Sequence, residues 1–130
     1  MKFSTKTTYG LRAMACIMKY QEAVPISRIA KEEDISQKYL EKIIGKLKKN
    51  GLLMAEKGAT GGYFLAKDPQ NITVYDIVKA LDGGFNPFHC VEKNKKIYCH
   101  GSCACSANNV LLKVQKMSAQ ALERIKLSDF

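Results

Sequence analysis

Residues 36–51 read SQKYLEKIIGKLKKNG, and this pattern predicts an amphipathic helix with a basic outer face. Its apolar members recur at helical spacing and share one side of the helix, namely Leu40, Ile43, Ile44 and Leu47. The opposite side carries Lys38, Lys42, Lys46 and Lys49. Ser36 suits the N-cap position, and Gly51 suits the residue just past the C-terminus. A charged face can be merely solvated, so the neighbouring segments must identify its partner.

The segments on either side of this helix complete a recognisable arrangement. Residues 26–33 form a shorter helical pattern, which Pro25 separates from the chain before it, and residues 33–35 supply a tight turn. Two helices joined by such a turn, the second with a basic outer face, are typical of a helix-turn-helix unit. Downstream, strand patterns at residues 52–57 and 63–66 flank the sequence GATGG and predict a β-hairpin.

The glycine-rich tip of this hairpin, residues 58–62, suits the wing of a winged helix-turn-helix. The glycines of this tip would let the backbone approach DNA phosphates, and Lys57 would pair with these phosphates. A nucleotide-phosphate loop is disfavoured because no helix follows and the Gly-Lys-Ser/Thr ending is missing. A plain structural hairpin is the other alternative. Taken with the basic helix, the hairpin predicts a DNA-binding protein rather than an enzyme, since no base–nucleophile pairing is present.

Two further helices are predicted before the cysteine-rich part of the chain. Residues 7–20 are apolar on most sides, so we expect this helix to be buried on more than one side, with Cys16 as a small core thiol. Residues 73–82 form a short helix that a glycine follows. Thr73 and Asp76 have the spacing of a capping box at its start.

The final helix is predicted over residues 106–126, with Ser106 as its N-cap. Its apolar seam consists of Val110, Leu111, Val114, Met117, Ala121, Leu122 and Ile125. In so short a chain a second copy would bury this seam most economically, and a two-fold dimer suits a palindromic DNA site. The predicted fold is mainly α: a winged helix-turn-helix with a β-hairpin wing (1–82), a cysteine-rich loop (83–105) and a long C-terminal dimerisation helix with a tail (106–130).

Composition limits the class of protein and partner. The chain has 130 residues, 46% hydrophobic and 25% charged, which is typical of a globular protein. No apolar run is long enough to span a membrane, and the N-terminus lacks the apolar core of a secretory signal, so we expect a cytoplasmic protein. The net charge of +9 is spread over both parts of the chain, +5 up to Asp82 and +4 beyond it, and it favours nucleic acid as the partner.

Four of the five cysteines lie within residues 83–105, where the irregular pattern predicts a long loop. They are Cys90, Cys99, Cys103 and Cys105. Thiolates gathered on one segment favour zinc or an iron–sulfur cluster. Gaps of eight, three and one residues lack the paired Cys-x-x-Cys spacing of a zinc ribbon, and a reducing compartment disfavours disulfides. These spacings leave iron–sulfur, zinc and redox-active thiols open.

Several motifs resemble the Rrf2 family of bacterial winged-helix regulators, which includes the IscR, NsrR, RirA and CymR types. They are KFSTK at residues 2–6, YGLRA at 9–13, KYLE at 38–41, LKKNGL at 47–52, GGY at 61–63 and ITVYDI at 72–77. The match runs from residue 2 to about residue 84 and resumes at residues 125–130. The resemblance implies a homodimeric transcription factor whose recognition helix enters the major groove of a palindromic operator and whose wing reaches the minor groove.

Carried over by position, the resemblance implies a set of DNA contacts on the recognition helix and the wing. They are Ser36, Lys38, Tyr39, Glu41 and Lys42 on the helix, and Lys57, Gly61 and Gly62 on the wing. The basic face of the helix adds Lys46 to this set.

The resemblance also implies a 2Fe–2S or 4Fe–4S cluster in the cysteine-rich loop. Its ligands would be Cys90, Cys99 and Cys105, with five residues between the last two as in cluster-binding members. The histidine or acid that usually supplies the fourth ligand is replaced here by Asn108 or Thr8. Cys103 is the first substitute, and a histidine such as His100 or an exogenous ligand is the alternative.

The predicted function is a DNA-binding repressor that the cluster controls, with no membrane partner and no small-molecule substrate. Two alternatives stay open. One is a winged-helix repressor that uses zinc or a thiol–disulfide switch at the same loop. The other is a small iron–sulfur carrier protein, whose basic charge would only dock acidic partners.

Overall fold

The structure, a computed structural model, describes residues 2–88, 91–93, 96–99 and 103–130; for 91–93, 96–99 and 103–104 it describes the backbone only. The helices of this part of the chain are α1 (Thr5–Met18), α2 (Ile26–Glu33), α3 (Gln37–Lys49), α4 (Val74–Asp82) and α5 (Asn108–Arg124). The strands are β1 (Leu53–Glu56), β2 (Gly62–Leu65), β3 (Val91–Lys93), β4 (Lys96–Cys99) and β5 (Cys103–Ala104). Single 3₁₀ turns lie at Pro69–Asn71 and Leu127–Asp129.

Helix α1 starts two residues earlier than predicted because a serine caps it. The Ser4 hydroxyl accepts a hydrogen bond from the Thr7 N–H at 3.1 Å, which satisfies one of the free donors of the first turn. Several α1 side chains lie in the core, including Met14, Cys16 and Ile17, and α1 contacts α2, α3 and α4. The prediction of burial on more than one side, with Cys16 as a core thiol, is confirmed.

Helices α2 and α3 form the predicted helix-turn-helix. The turn places Asp34 in the left-handed conformation with φ 51°, and the Ile35 N–H returns to the Ala30 carbonyl at 3.0 Å. The four apolar residues predicted for the inner side of α3 are all buried: Leu40, Ile43, Ile44 and Leu47. Ser36 occupies the N-cap position, but its hydroxyl makes no capping hydrogen bond.

Strands β1 and β2 pair in antiparallel register from Leu53 opposite Leu65 to Glu56 opposite Gly62, as the hairpin pattern predicts. The segment between α1 and α2 adds a bridge to this wing. The Val24 N–H donates to the Tyr63 carbonyl, and the Tyr63 N–H donates to the Val24 carbonyl, both at 2.9 Å. The wing is therefore anchored to the body of the protein by backbone hydrogen bonds.

Helix α4 has the predicted capping box. The Thr73 hydroxyl accepts from the Asp76 N–H at 3.0 Å, and the Asp76 carboxylate accepts from the Thr73 N–H at 2.8 Å. Gly83 ends the helix with φ 81°. The mainly α winged-helix class is confirmed, and among the described residues no helix is long and apolar enough to cross a membrane.

Both predicted ends of the final helix are wrong. The N-cap is Ala107 rather than Ser106, because the chain turns here and the Asn108 N–H bonds the Cys105 carbonyl at 3.1 Å. The helix ends at Arg124 rather than at residue 126, because the following residues pair with the start of α4. The Val74 N–H donates to the Ile125 carbonyl at 2.9 Å, and the Leu127 N–H donates to the Ile72 carbonyl at 2.8 Å.

The cysteine-rich segment is less irregular than predicted. Its described backbone forms a small antiparallel sheet in the order β3–β4–β5, with Val91 opposite Tyr98 and Cys99 opposite Cys103. Valine, isoleucine and tyrosine favour strands, and here they occur at residues 91, 97 and 98. The predicted loop of residues 83–105 therefore contains three short strands.

Candidate nucleic-acid interface

The outer face of α3 presents the polar residues predicted to contact DNA. Lys38, Glu41 and Lys42 are exposed and lie three and four residues apart, so they share one side of the helix. Ser36, at the N-cap of α3, is exposed as well. This face combines ammonium and hydroxyl groups, which donate to phosphates, with a carboxylate, which can accept from a base edge in the major groove.

Tyr39 differs from these neighbours because it is half-buried. Its ring packs edge-to-face on Tyr9 of α1, with the ring centroids 5.8 Å apart. The Arg12 guanidinium lies 5.5 Å from the centroid of the same Tyr9 ring, and it also pairs with the Glu33 carboxylate, Nε to Oε2, at 3.1 Å. The aromatic pair thus attaches α1 to the start of α3, and the ion pair attaches α1 to the end of α2.

Lys46 occupies a different environment from the other predicted contacts. Its Nζ donates to the Leu81 carbonyl at 3.3 Å, at the C-terminal end of α4. The exposed Lys46 side chain thus also makes a hydrogen bond within the protein, and its predicted contact with DNA stays a prediction. Helical spacing alone does not identify this contact, since Leu81 is 35 residues away in the chain.

The wing places Lys57 in an exposed position directly after β1. Gly61 and Gly62 are explained by contacts within the protein. A Cβ atom on Gly62 would overlap the carbonyl carbon and oxygen of Val24, and one on Gly61 would overlap the Glu56 carbonyl oxygen. Both glycines therefore permit the backbone to fold back on itself, in addition to any approach to DNA.

The C-terminal end of α4 is bound by residues that the sequence analysis did not single out. The Asp82 carboxylate accepts hydrogen bonds from the hydroxyls of Ser4 and Thr7, the latter at 2.7 Å, and its Oδ1 lies 3.1 Å from Lys6 Nζ. Burial raises the pKa of Asp82, but the hydrogen bonds from Ser4, Thr7 and Lys6 and the charge of Lys6 outweigh it, so the pKa is lowered below its usual value. The spacing of Ser4 and Thr7 could have predicted an N-cap from the sequence. Nothing in the sequence predicts that Asp82 contacts them, because it is more than 70 residues away in the chain.

Cys16 lies apart from the other cysteines in the core between α1 and α2. Its Sγ donates to Glu32 Oε2 at 3.4 Å, and the other oxygen of that carboxylate accepts from the Tyr20 hydroxyl. Burial, together with the hydrogen bond and the negative charge of Glu32, raises the pKa of the Cys16 thiol to about 11. Cys16 is therefore a protonated, unreactive thiol at neutral pH.

This raised pKa predicts a pH dependence of stability. Between pH 9 and about 11 the folded chain keeps a proton that the unfolded chain releases, so the free energy of unfolding falls as the pH rises through this interval. Denaturant unfolding at a series of pH values checks this prediction. Cys16→Ala is less stable at every pH but shows a shallower decline between pH 9 and 11. An identical slope in both proteins would contradict the prediction.

The predicted cluster ligands are only partly within the described structure. Cys90 and His100 lie outside the described residues, Cys99 and Cys103 are described by backbone alone, and Cys105 is half-buried with a free thiol. Among the side chains that are described, no group of three or more His, Cys, Asp and Glu could hold a metal ion.

The donor set nevertheless suits an iron–sulfur cluster. Soft thiolates are the ligands that such clusters prefer, and the strand register places Cys99 opposite Cys103, with Cys105 two residues further along. The two residues that replace the family's fourth ligand lie elsewhere. Thr8 donates its hydroxyl to the Ser4 carbonyl at 3.1 Å, and Asn108 is the first residue of α5.

Comparison with known proteins assigns the family. The family model Rrf2, described as an iron-dependent transcriptional regulator, matches residues 3–130. The chain is 34% identical over 131 residues to the protein rrf2 of Nitratidesulfovibrio vulgaris strain Hildenborough, and the alignment covers 99% of this chain and 86% of that protein. It is 38% identical over 94 residues to the HTH-type transcriptional regulator CymR of Bacillus subtilis strain 168, covering 71% of this chain and 68% of CymR.

Solved structures give the same assignment. The structure of CymR (YrzC), described as the global cysteine regulator of B. subtilis, matches 99% of this chain and 95% of that chain with a TM-score of 0.80 and 27% identity. IscR of T. potens matches 99% and 85% with a TM-score of 0.77 and 33% identity. An oxidized form of Staphylococcus aureus CymR matches 98% and 93% with a TM-score of 0.75 and 29% identity. The relatives are regulators rather than enzymes, and this chain belongs to the Rrf2 family of winged-helix transcriptional regulators.

Proposed function

We propose that the protein is a homodimeric, cytoplasmic repressor whose binding to a palindromic operator is controlled by an iron–sulfur cluster. Residues 1–82 would bind DNA, residues 83–105 would hold the cluster and residues 106–130 would form the dimer. The observation that supports this proposal best is the combination, in one Rrf2-family chain, of an exposed basic face on α3 with four cysteines on a single segment.

The DNA contacts that we propose lie on α3 and the wing. Lys38 and Lys42 would reach the operator in the major groove, with Ser36, Tyr39 and Glu41 beside them, and Lys57 would reach the minor groove. The wing glycines Gly61 and Gly62 would bring the backbone at the tip close to the phosphates. We place Lys46 outside this direct set, because its ammonium group is engaged with Leu81.

The dimer would form along α5. Val110 is 65% exposed, Val114 is 36% exposed and Met117 is 59% exposed, although these residues are apolar and recur at helical spacing. An exposed apolar stripe of this kind is typical of a surface that a second protein copy covers. Sedimentation of the full chain at micromolar concentration tests the proposal: we expect a dimer in the parent protein and a monomer in the Val114→Glu, Met117→Glu double variant. A monomeric parent protein would refute the dimer.

The cluster would be held by Cys90, Cys99 and Cys105, and we propose Cys103 as the fourth ligand. When bound, an iron–sulfur cluster supplies a centre that exchanges single electrons and whose presence depends on iron and on redox conditions. The protein itself would contribute a change of conformation. If ligation orders the segment between α4 and α5, it selects one arrangement of the two recognition helices over others.

Metal and sulfide analysis of protein purified without oxygen tests the cluster. We expect iron, acid-labile sulfide and visible absorption in the parent chain, loss of the absorption in Cys→Ala variants of each of the four loop cysteines, and no loss in the control Cys16→Ala. If the protein were colourless and contained zinc, the proposal of a cluster would be wrong and the segment would be a zinc site. Retention of the absorption by Cys103→Ala alone would remove Cys103 from the ligand set.

A thiol–disulfide switch is the second candidate, and the strand register favours it. Cys99 lies directly opposite Cys103, and residues directly opposite in antiparallel strands have Cα atoms about 4.5–5.5 Å apart, within the range of about 4.4–6.8 Å that a disulfide spans. Two thiols would lose two electrons and two protons to a peroxide and form one disulfide. This candidate is tested with metal-free protein treated with hydrogen peroxide. We expect mass spectrometry to detect a Cys99–Cys103 disulfide, and we expect the same sample to bind DNA with altered affinity.

A further inference from the structure

Two lysines from different helices meet at one carbonyl group. The Leu81 carbonyl accepts from Lys6 Nζ of α1 and from Lys46 Nζ of α3, each at 3.3 Å. Leu81 and Asp82 are the last residues of α4, where the free carbonyl groups carry the partial negative charge of the helix dipole. Lys46 lies in the last turn of α3. The recognition helix is therefore joined to the end of α4 by a charged hydrogen bond.

The side chain of the same residue forms a second connection between these helices. Leu81 is 2% exposed, and a Cβ atom on Gly10 of α1 would overlap its Cδ1 and lie 3.6 Å from Ile43 Cγ2 of α3. Leu81 thus packs in the space where α1, α3 and α4 approach one another. Because close-packed side chains transmit displacement rather than absorb it, a shift of the end of α4 also moves α1 and α3.

This end of α4 is also where the cysteine-rich segment begins. Gly83 follows Asp82 directly and ends the helix, and Phe85 packs on Phe3 with ring centroids 5.7 Å apart. The chain that leaves the DNA-binding unit is therefore attached to the N-terminus before it reaches the cysteines. Asp82 and Leu81 are therefore the first residues of the DNA-binding unit that a conformational change at the start of the cysteine-rich segment would displace.

We propose that Lys46 is a positioning residue that couples the recognition helix to the cysteine-rich segment through the Leu81 carbonyl. In this role Lys46 does not read DNA. It holds the C-terminal turn of α3 against α4, so that the state of the segment following α4 sets the position of α3. The inference rests on the proposed function, because coupling requires a regulator whose cysteine-rich segment changes state.

The test measures the ratio of DNA affinities between cluster-loaded and cluster-free protein. The DNA is a duplex selected from a random library by the loaded parent protein, and binding is followed by fluorescence anisotropy. Lys46→Met should reduce this ratio to within about twofold of unity, and Lys46→Arg should keep most of the parent ratio because it retains a charged donor. Lys49→Met is the matched control, since it removes the same charge from the last turn of α3 and should keep the parent ratio.

The outcomes separate this inference from the proposed function. A parent ratio above about threefold that Lys46→Met leaves unchanged would overturn the coupling role alone. A parent protein that holds the cluster but binds DNA equally in both states would overturn cluster control and the coupling role together. Equal loss of the ratio in Lys46→Met and Lys49→Met would assign the effect to the charge of the helix and overturn the specific contact.

Discussion

A protein with both Lys38 and Lys42 replaced by glutamate is expected to bind operator DNA roughly 100-fold more weakly than the parent chain. Each lysine is exposed on the outer face of α3, so in the proposed complex its loss would remove a contact with the DNA and release fewer counterions on binding. Glutamate adds repulsion from the phosphates. The proposed dimer loses four lysine contacts, two from each protomer, and each contributes about 0.9 to the slope of log affinity against log salt concentration. This slope should therefore fall in magnitude by about 3.6.

Lys19→Glu with Lys79→Glu is the matched control for this double variant. Both lysines are exposed, Lys19 at the C-terminal end of α1 and Lys79 on α4, and the change in net charge is the same. We expect less than about a threefold loss of affinity in the control, because these positions are outside the proposed interface. Equal losses in both double variants would show that net charge, rather than the face of α3, governs binding.

The largest effect on stability is expected at Gly62. An alanine Cβ here would overlap the carbonyl carbon and oxygen of Val24, which are backbone atoms that cannot turn aside as a side chain can. The two Val24–Tyr63 hydrogen bonds hold the same backbone segments together. We therefore expect Gly62→Ala to lower the free energy of unfolding by about 3 kcal/mol, measured by denaturant unfolding with circular dichroism.

Gly45→Ala supplies the opposite expectation in the same protein. Gly45 lies inside α3, and a Cβ atom there meets nothing within 4 Å. Because glycine is a poor helix former, alanine should raise the free energy of unfolding by about 0.5–1 kcal/mol.

If Gly62→Ala were as stable as the parent protein, the wing would not be anchored to Val24 in the way that the structure shows.

Elements with local signals could be predicted from the sequence. The helix-turn-helix follows from apolar spacing and a tight turn, α4 follows from its capping box, and the hairpin follows from two strand patterns around glycines. The error at the C-terminal end of α5 concerns a contact that is distant in sequence, whereas the error at its N-cap has a local cause. The end of α5 at Arg124 depends on backbone pairing with residues 72–74, and nothing in the local sequence of the helix encodes this pairing.

In the candidate site, too, features with a local signal in the sequence can be predicted and features that depend on distant residues cannot. Exposure of Lys38, Glu41 and Lys42 follows from the amphipathic pattern of α3 alone. The environment of Lys46 does not, because its partner carbonyl belongs to α4. The four cysteines are evident from the sequence, but the strands around them are not, because β3, β4 and β5 are only three, four and two residues long and carry too short a pattern to be predicted.

The pairing of the C-terminal tail with the start of α4 has a consequence for assembly. Residues 125–127 are bonded to residues 72–74 of the same chain, and Leu127 is fully buried. The C-terminal end of α5 is therefore attached to its own protomer by these backbone bonds. Exchange of this tail between protomers would break these backbone bonds and uncover Leu127, so we expect a dimer in which each chain keeps its own tail on its own α4.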